Sequence, residues 1–262
     1  MSQYFGKYRG KVESNVDPNN LGRVKVKVPA VLDDSSPSWA MPCVPYAGKG
    51  VGFFFIPPKD ANIWVEFEGG DPNKPIWTGC FWGENEVPIS PAKAEVKIIK
   101  TEHITFKLDN NAGDKGGITL EIKSPAVSDP LKMIFDKKGI TIDNKPSVIK
   151  LTQKDIELDH KKSNVKMTEK DITVDHDKKR SVKITDKDLT VKNDKITFTV
   201  TDKKAELKNE DSSIKVEKDI EIKCDSVKAK ISKKAIEMEN GSKKIKIGSS
   251  SVLINEGALE VM

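Results

Sequence analysis

The chain has 262 residues, with 45 Lys/Arg against 40 Asp/Glu, a formal net charge of +5 and three cysteines. That length holds one or two domains, and charges of both signs interspersed throughout argue against a nucleic-acid stripe, because phosphate binding calls for clustered positive charge. No apolar run reaches the length of a membrane span, and the opening Met1-Ser2-Gln3-Tyr4 starts no signal peptide. The expected route is therefore assembly in the cytoplasm without a leader. Cys43, Cys80 and Cys224 form no close-spaced pair and read as reduced thiols.

From the N-terminus, residues 4–88 read as short strands: YFGKYRGKVES, GRVKVKVPAV, WAMPCVPY, GVGFFFIP, NIWVEFE and IWTGCFWG. Turn signals separate them at Asp17–Asn20, Asp33–Ser38, Pro57–Ala61 and Gly69–Pro75. This spacing predicts a small Greek-key barrel. Gly22 permits a tight turn before the strand Arg23–Val28. Phe53, Phe55, Ile63, Val65 and Phe67 are expected to alternate inward and fill the barrel. Gly69-Gly70-Asp71-Pro72 turns the chain between Glu68 and Ile76. Trp39, Phe54 and Trp82 are the aromatics expected to point outward, toward neighbouring copies or the segment that follows.

Composition then breaks. All four tryptophans, Trp39, Trp64, Trp77 and Trp82, precede Val87, and after it only Phe106, Phe135 and Phe198 remain of the aromatics. No proline follows Pro146. The first 88 residues hold nine Lys/Arg against ten Asp/Glu, so the positive charge comes from the remainder. The boundary falls in Val87-Pro88-Ile89-Ser90-Pro91, an extended connector. The expected domains are a barrel over 1–88, a connector and start of rod over 89–100, and a repetitive rod over 101–262.

The rod is periodic. Equivalent apolar positions are Ile140, Ile156, Ile172, Leu189, Ala205, Ile220, Ile236 and Val252, spaced 16, 16, 17, 16, 15, 16 and 16. Each period carries two short alternating runs, such as Ile156/Leu158 and Val165/Met167, then Ile172/Val174 and Val182/Ile184. Period two with β-branched enrichment is strand patterning. Each strand offers about two inward apolar side chains, worth about 1.5–3 kcal/mol apiece, while ordering one backbone residue costs about 1–2 kcal/mol. A lone strand cannot be stable on that balance, so the strands must stack into a continuous core. A single-chain solenoid with a sixteen-residue coil would have a thin core; several chains wound together would share one axial core. The pattern favours the second without fixing the number of chains. The expected core positions are Ile140, Ile142, Ile156, Leu158, Val165, Met167, Ile172, Val174, Val182, Ile184, Leu189, Val191, Ile220, Ile222, Ile236, Met238, Ile245 and Ile247. Lysines on the other face read as a solvated surface, with Lys–Glu pairs serving solubility and register.

The segment GKVESNVDPNNLGRVKVKVPAV, followed by GVGFFFIPPKDANIWVEFEGGDPNKPIWTGCFW, resembles the oligonucleotide/oligosaccharide-binding (OB) barrel of contractile-tail spike proteins, namely phage baseplate assembly protein V, central tail spikes and Vgr-type spikes. Its most specific parts are Asp17 to Val26 and Pro57 to Pro75. A β-helical rod directly after the barrel is also that family's order. The resemblance implies an all-β chain, an OB barrel followed by an intertwined trimeric β-helix or β-prism needle, with threefold symmetry. It implies a homotrimer that docks on a baseplate hub and mechanically punctures a target cell envelope, as part of a virion tail or injection-system particle. Vgr-type proteins carry a hub domain ahead of the barrel and some phage spikes insert a lysozyme domain after it; neither is expected here, so the hub would be a separate protein. Val252, Ile254, Leu259, Val261 and Met262 would form a blunt apolar end that docks a PAAR-type tip protein, the alternative being a tip closed by the chain itself.

His103, His160 and His176 are the only histidines, and the last two share a repeat position after an aspartate. They read as exposed turn residues; the His-x-His pair that holds metal in some family spikes is absent. No Ser–His–Asp order, phosphate loop or CxxC pair appears. No enzyme activity, metal, cofactor or nucleic-acid partner is expected. The rival readings are an OB nucleic-acid-binding protein with an oligomerising tail, and a receptor-binding fibre stalk.

Overall fold

A computed structural model describes residues 2–32, 37–113, 116–255 and 259–261. Most of the loop at Asp33–Ser38, together with Ala258 and Met262, thus lies outside the described residues. The chain divides into two compact units, Met1–Ala92 and Lys93–Met262. It is all-β; among the described residues no helix is long and apolar enough to cross a membrane.

The first unit contains β1 (Tyr8–Ser14), β2 (Val24–Lys27), β3 (Ser38–Pro42), β4 (Ala47–Gly48), β5 (Val51–Gly52), β6 (Asn62–Phe67) and β7 (Pro75–Cys80). Five of them close a barrel in the order β1-β2-β3-β7-β6, with β6 returning to β1. All its pairings are antiparallel except β3 with β7, where Met41 faces Ile76 and Pro42 faces Trp77. This is a five-stranded OB-type barrel. Strand alternation sends Val12, Val24, Val26, Val28, Ala40, Ile63, Val65, Phe67 and Trp77 inward, where they form one buried cluster. The turn after β6 uses Gly69 at φ 62° and Gly70 at φ 78°, and a side chain at Gly70 would press on the Tyr4 backbone nitrogen, 3.1 Å from an added Cβ.

One expected strand is corrected. GVGFFFIP pairs only through Val51–Gly52 with Ala47–Gly48, and Phe53 and Phe55 do not fill the barrel. They are 55% and 60% exposed, with Phe54 at 78%. Their alternation is real, but the face it defines points away from the core. The barrel closes by joining β3 to β7 directly, so this segment has no place in the wall. The Gly48–Gly52 hairpin carries it outside instead, where Phe53 meets Tyr46 edge-on at 6.4 Å and Phe55 at 6.4 Å.

The second unit is a long antiparallel sheet. Among the described residues, twenty strands run from Val96–Lys100 to Leu259–Val261, and each but the last pairs with the next strand of the same chain. Reversals on the two edges of this meander are made differently. On one edge a Thr or Ser hydroxyl accepts the backbone N–H groups two and three residues on: Thr152 from Lys154 and Asp155, Thr168 from Lys170 and Asp171, Thr185 from Lys187 and Asp188, Ser232 from Lys234 and Ala235. On the other edge turns place residues in the left-handed region, one each at Lys161, Glu210, Asp225 and Gly241 and two at Asp177 and Lys178.

Gly139, at φ 130°, starts a strand where an added Cβ would fall 1.9 Å from the Leu151 carbonyl oxygen. Gly139→Ala should therefore destabilise the sheet locally, by about 1–3 kcal/mol. Hydrogen exchange of the amides between Gly139 and Leu151 measures this; unchanged protection would contradict the constraint.

Candidate functional site

The register of the meander sorts its residues into continuous files, because cross-strand partners share a face. One file runs through Ile142, Ile149, Leu158, Val165, Val174, Val182, Val191, Phe198, Leu207, Ile214, Ile222, Ala229, Met238, Ile245, Ile254 and Leu259. Beside it run Ile140, Leu151, Ile156, Met167, Ile172, Ile184, Leu189, Val200, Ala205, Val216, Ile220, Ile231, Ile236, Ile247 and Val252. All eighteen core positions expected from the repeat fall in these two files. Sequence reasoning passed over Ile149, Leu151, Phe198, Val200, Leu207, Ile214, Val216 and Ile231. The same alternation marks them, but the period of sixteen drew attention to the best-matched units.

A single sheet leaves these files bare. Ile156 is 42% exposed, Val174 44% and Met238 47%, although each stands inside a sheet with neighbours on both sides. Of the expected tip residues, Val252 and Ile254 are half-buried and Leu259 is exposed. Val261 takes part in the last strand pair, opposite Val252; its side chain and Met262 lie outside what is described.

The opposite face carries charges of both signs with threonines between them. Its central file runs Lys150, Glu157, Lys166, Thr173, Lys183, Thr190, Thr199, Glu206, Lys215, Glu221, Lys230, Glu237 and Lys246. Ion pairs stitch it: Lys166 meets Asp155 at 2.8 Å and Glu157 at 2.5 Å, Lys183 meets Asp171 at 3.1 Å, Lys230 meets Asp219 at 2.8 Å and Lys246 meets Glu237 at 3.2 Å. Hydrogen bonds from Lys166 hold Asp155 and Glu157 below their usual range and raise the lysine. Exposed pairs of this kind add little stability each, so the face is a solvated one that favours one register.

His160 and His176 sit at one turn edge on the same side as the apolar files. Their Nδ1 atoms lie 2.6 Å from Ser147 Oγ and 2.8 Å from Ser163 Oγ, and both rings are exposed. His103 is half-buried with Glu102 at 3.6 Å. Among the described residues no three His, Cys, Asp or Glu side chains gather as metal ligands.

In the barrel the structure reveals a lock that sequence reasoning treated only as a turn. The Asp17 carboxylate, 5% exposed, accepts the backbone N–H groups of Asn19, Leu21 and Arg23 and the Arg23 guanidinium at 2.7 Å. Arg23 in turn stacks over Trp39, 5.3 Å from the ring centroid. Asp17 and Arg23 are thus fixed parts of the D-P-x-x-L-G-R run, and Trp39 is half-covered rather than free. Trp82 is exposed. The Arg23 guanidinium first, and the three backbone N–H groups after it, hold the Asp17 carboxyl far below the carboxylate range. A depressed folded pKa stabilises above the unfolded value, near 4, and that contribution is lost as pH falls below it toward the folded value. Acidification from pH 7 to pH 3 should therefore narrow the gap in melting temperature between the native chain and Asp17→Asn. A gap that stays constant would contradict this.

Residues 8–82 match the family described as the type VI secretion system/phage-baseplate injector OB domain. The matched stretch runs from β1 through β7, so it is the barrel that resembles this domain. The chain is also similar to the type VI secretion system spike protein VgrG5 of Pseudomonas aeruginosa, 31% identical over 119 residues. That stretch covers 44% of this chain and 14% of the relative, so only a small part of the relative's length is spanned.

Proposed function

We propose that the protein is the homotrimeric central spike of a contractile injection machine. The observation that carries this reading is the pair of unbroken apolar files, bare on one face of a sheet that is otherwise hydrogen-bonded and charged, behind an injector OB barrel. Three copies with these files turned inward enclose a dry axial core, and their charged faces remain in water. The barrel docks on the baseplate hub, and the exposed Tyr46 and Phe53–Phe55 strip is the natural apolar contact. The stacked sheet passes axial force to the target envelope. Its last described strands, with Val252, Ile254 and Leu259, seat a PAAR-type tip protein.

Mass measurement of the full chain in solution tests the core of this reading. A particle of three chains is expected, and a stable single chain would overturn it. For the tip, binding of a candidate tip protein should be lost on deleting residues 258–262, and unchanged binding would remove that assignment.

A further inference from the structure

We propose that the outer wall of the barrel is a docking surface for an acidic segment of a partner protein, with Arg9 as its anchor and Lys11 as its second cation. The proposal concerns the first unit alone and holds whatever the number of copies in the particle.

Val12 on β1 and Val24 and Val26 on β2 point into the barrel, so alternation turns Lys7, Arg9 and Lys11, with Lys25 and Lys27, to the outside. Lys11 stands directly opposite Lys27, and like charges in that position weaken a sheet. The carboxylates on and beside this wall have partners of their own. Glu66 pairs with Lys7 at 2.6 Å and Glu13 with Lys27 at 2.8 Å, while Glu86 accepts from the Asn62 side-chain amide and the Gly83 N–H. Among the described residues Arg9 and Lys11 have no ion-pair partner.

Arg9 is also held in place. It faces Trp64 across the β1–β6 ladder. Its guanidinium lies over two rings, 5.5 Å from the Trp64 centroid and 5.1 Å from that of Phe81, and the rings are 4.8 Å apart. Stacking fixes the guanidinium without using its N–H donors, so the planar fork stays open to a carboxylate. The chain has three arginines among its 45 basic residues. The other two are ion-paired, Arg23 with Asp17 at 2.7 Å and Arg180 with Asp177 at 2.9 Å.

Charge and spacing select the occupant. Arg9 and Lys11 stand about 6.5–7 Å apart along their strand, which is also the spacing of alternate side chains in any extended segment. A partner segment with acidic residues at alternate positions therefore offers a carboxylate to each cation. A nucleic acid fits less well. Its bases need open ring faces, whereas Trp64 and Phe81 already carry Arg9, and Trp39 carries Arg23. The first 88 residues also hold nine Lys/Arg against ten Asp/Glu, which gives no field for a phosphate chain.

Fluorescence anisotropy of a labelled peptide, glutamate alternating with glycine, titrated with the full chain at low salt tests this. Arg9→Gln should weaken binding about tenfold or more. Arg9→Lys, which keeps the charge and loses the fork, should weaken it about threefold or more, and Lys11→Gln by about threefold. Lys218→Gln, the same loss of charge in the second unit, should leave it unchanged. If melting shows that Arg9→Gln has loosened the barrel, Arg9→Lys and Lys11→Gln decide, since Lys11 is exposed. Absence of peptide binding by the native chain, or equal binding by all the chains, would overturn the proposal and leave Arg9 as a pin for two rings. An equal loss with Lys218→Gln would reduce the attraction to net charge and overturn it as well. An oligothymidylate of the same charge that binds more tightly than the peptide, and is lost with Arg9→Gln, would overturn the assignment to a protein.

Discussion

Val174→Asp is expected to abolish assembly of the proposed threefold particle, leaving single chains or non-specific aggregates in native mass measurement. Val174 stands midway along its file, opposite Val165 on one side and Val182 on the other, in a sheet whose own hydrogen bonds do not depend on the side chain. In a threefold core each layer holds three copies of the residue, so the substitution brings three carboxylates together away from water. The effective penalty for burying one unpaired ion is several kcal/mol, and like charges in one layer repel further. Loss of the three valines also removes about 1.5–3 kcal/mol each of apolar burial. Thr173→Asp is the internal control: it adds the same charge one residue away, on the opposite face between Lys166 and Lys183. It should leave assembly unchanged. An intact trimer with Val174→Asp would mean that these files do not face a shared core.

The second large effect belongs to the barrel. Ile63 is fully buried, pairs with Gly10 on β1 and Cys80 on β7, and packs in the cluster with Val12, Val24 and Val65. Ile63→Ala should lower barrel stability by about 2–5 kcal/mol, through lost transfer energy and the cavity left behind. A small domain has only about 5–15 kcal/mol in total, so the variant should be partly unfolded at moderate denaturant. Denaturant titration followed by the fluorescence of the buried Trp77 reads the change. Phe54→Ala, at a residue 78% exposed, should shift the same curve by less than about 0.5 kcal/mol. Equal effects from the two substitutions would mean that the division between core and surface in this barrel is misplaced.

The fold was legible wherever alternation and turn chemistry agreed. Two apolar residues per strand, repeated with turn residues between, specify strands and one apolar face whatever the connectivity, and that part of the rod follows from residues such as Ile156, Leu158, Val165 and Met167 alone. Connectivity was harder to read, because the same pattern suits a strand paired within its chain or across chains. The recurring hydroxyls at Thr152, Thr168 and Thr185 carried that information, since each locks a tight reversal. In the barrel, Ile63, Val65 and Phe67 point inward as their alternation predicts. Phe53 and Phe55 alternate equally well and point outward, because period two identifies a face without saying which side the core lies on. Asp17 was hidden for another reason. Its partners are backbone N–H groups ordered only once the loop has closed, so residue type marked a turn while the lock itself depends on Arg23 and Trp39.

The serial pairing of the sheet has a mechanical consequence. In a meander the ladder hydrogen bonds point along the direction in which strands stack, and under the proposed spike role that direction is the path of the delivered force. A push shortens a series of spacings of about 4.8 Å that are already at van der Waals contact, and the load is shared by every bond across each strand. A pull on the last strand acts differently: it loads the bonds to a single neighbour, and once these part the next strand becomes the last. The same sheet is stiff when driven forward and comes apart strand by strand when drawn back.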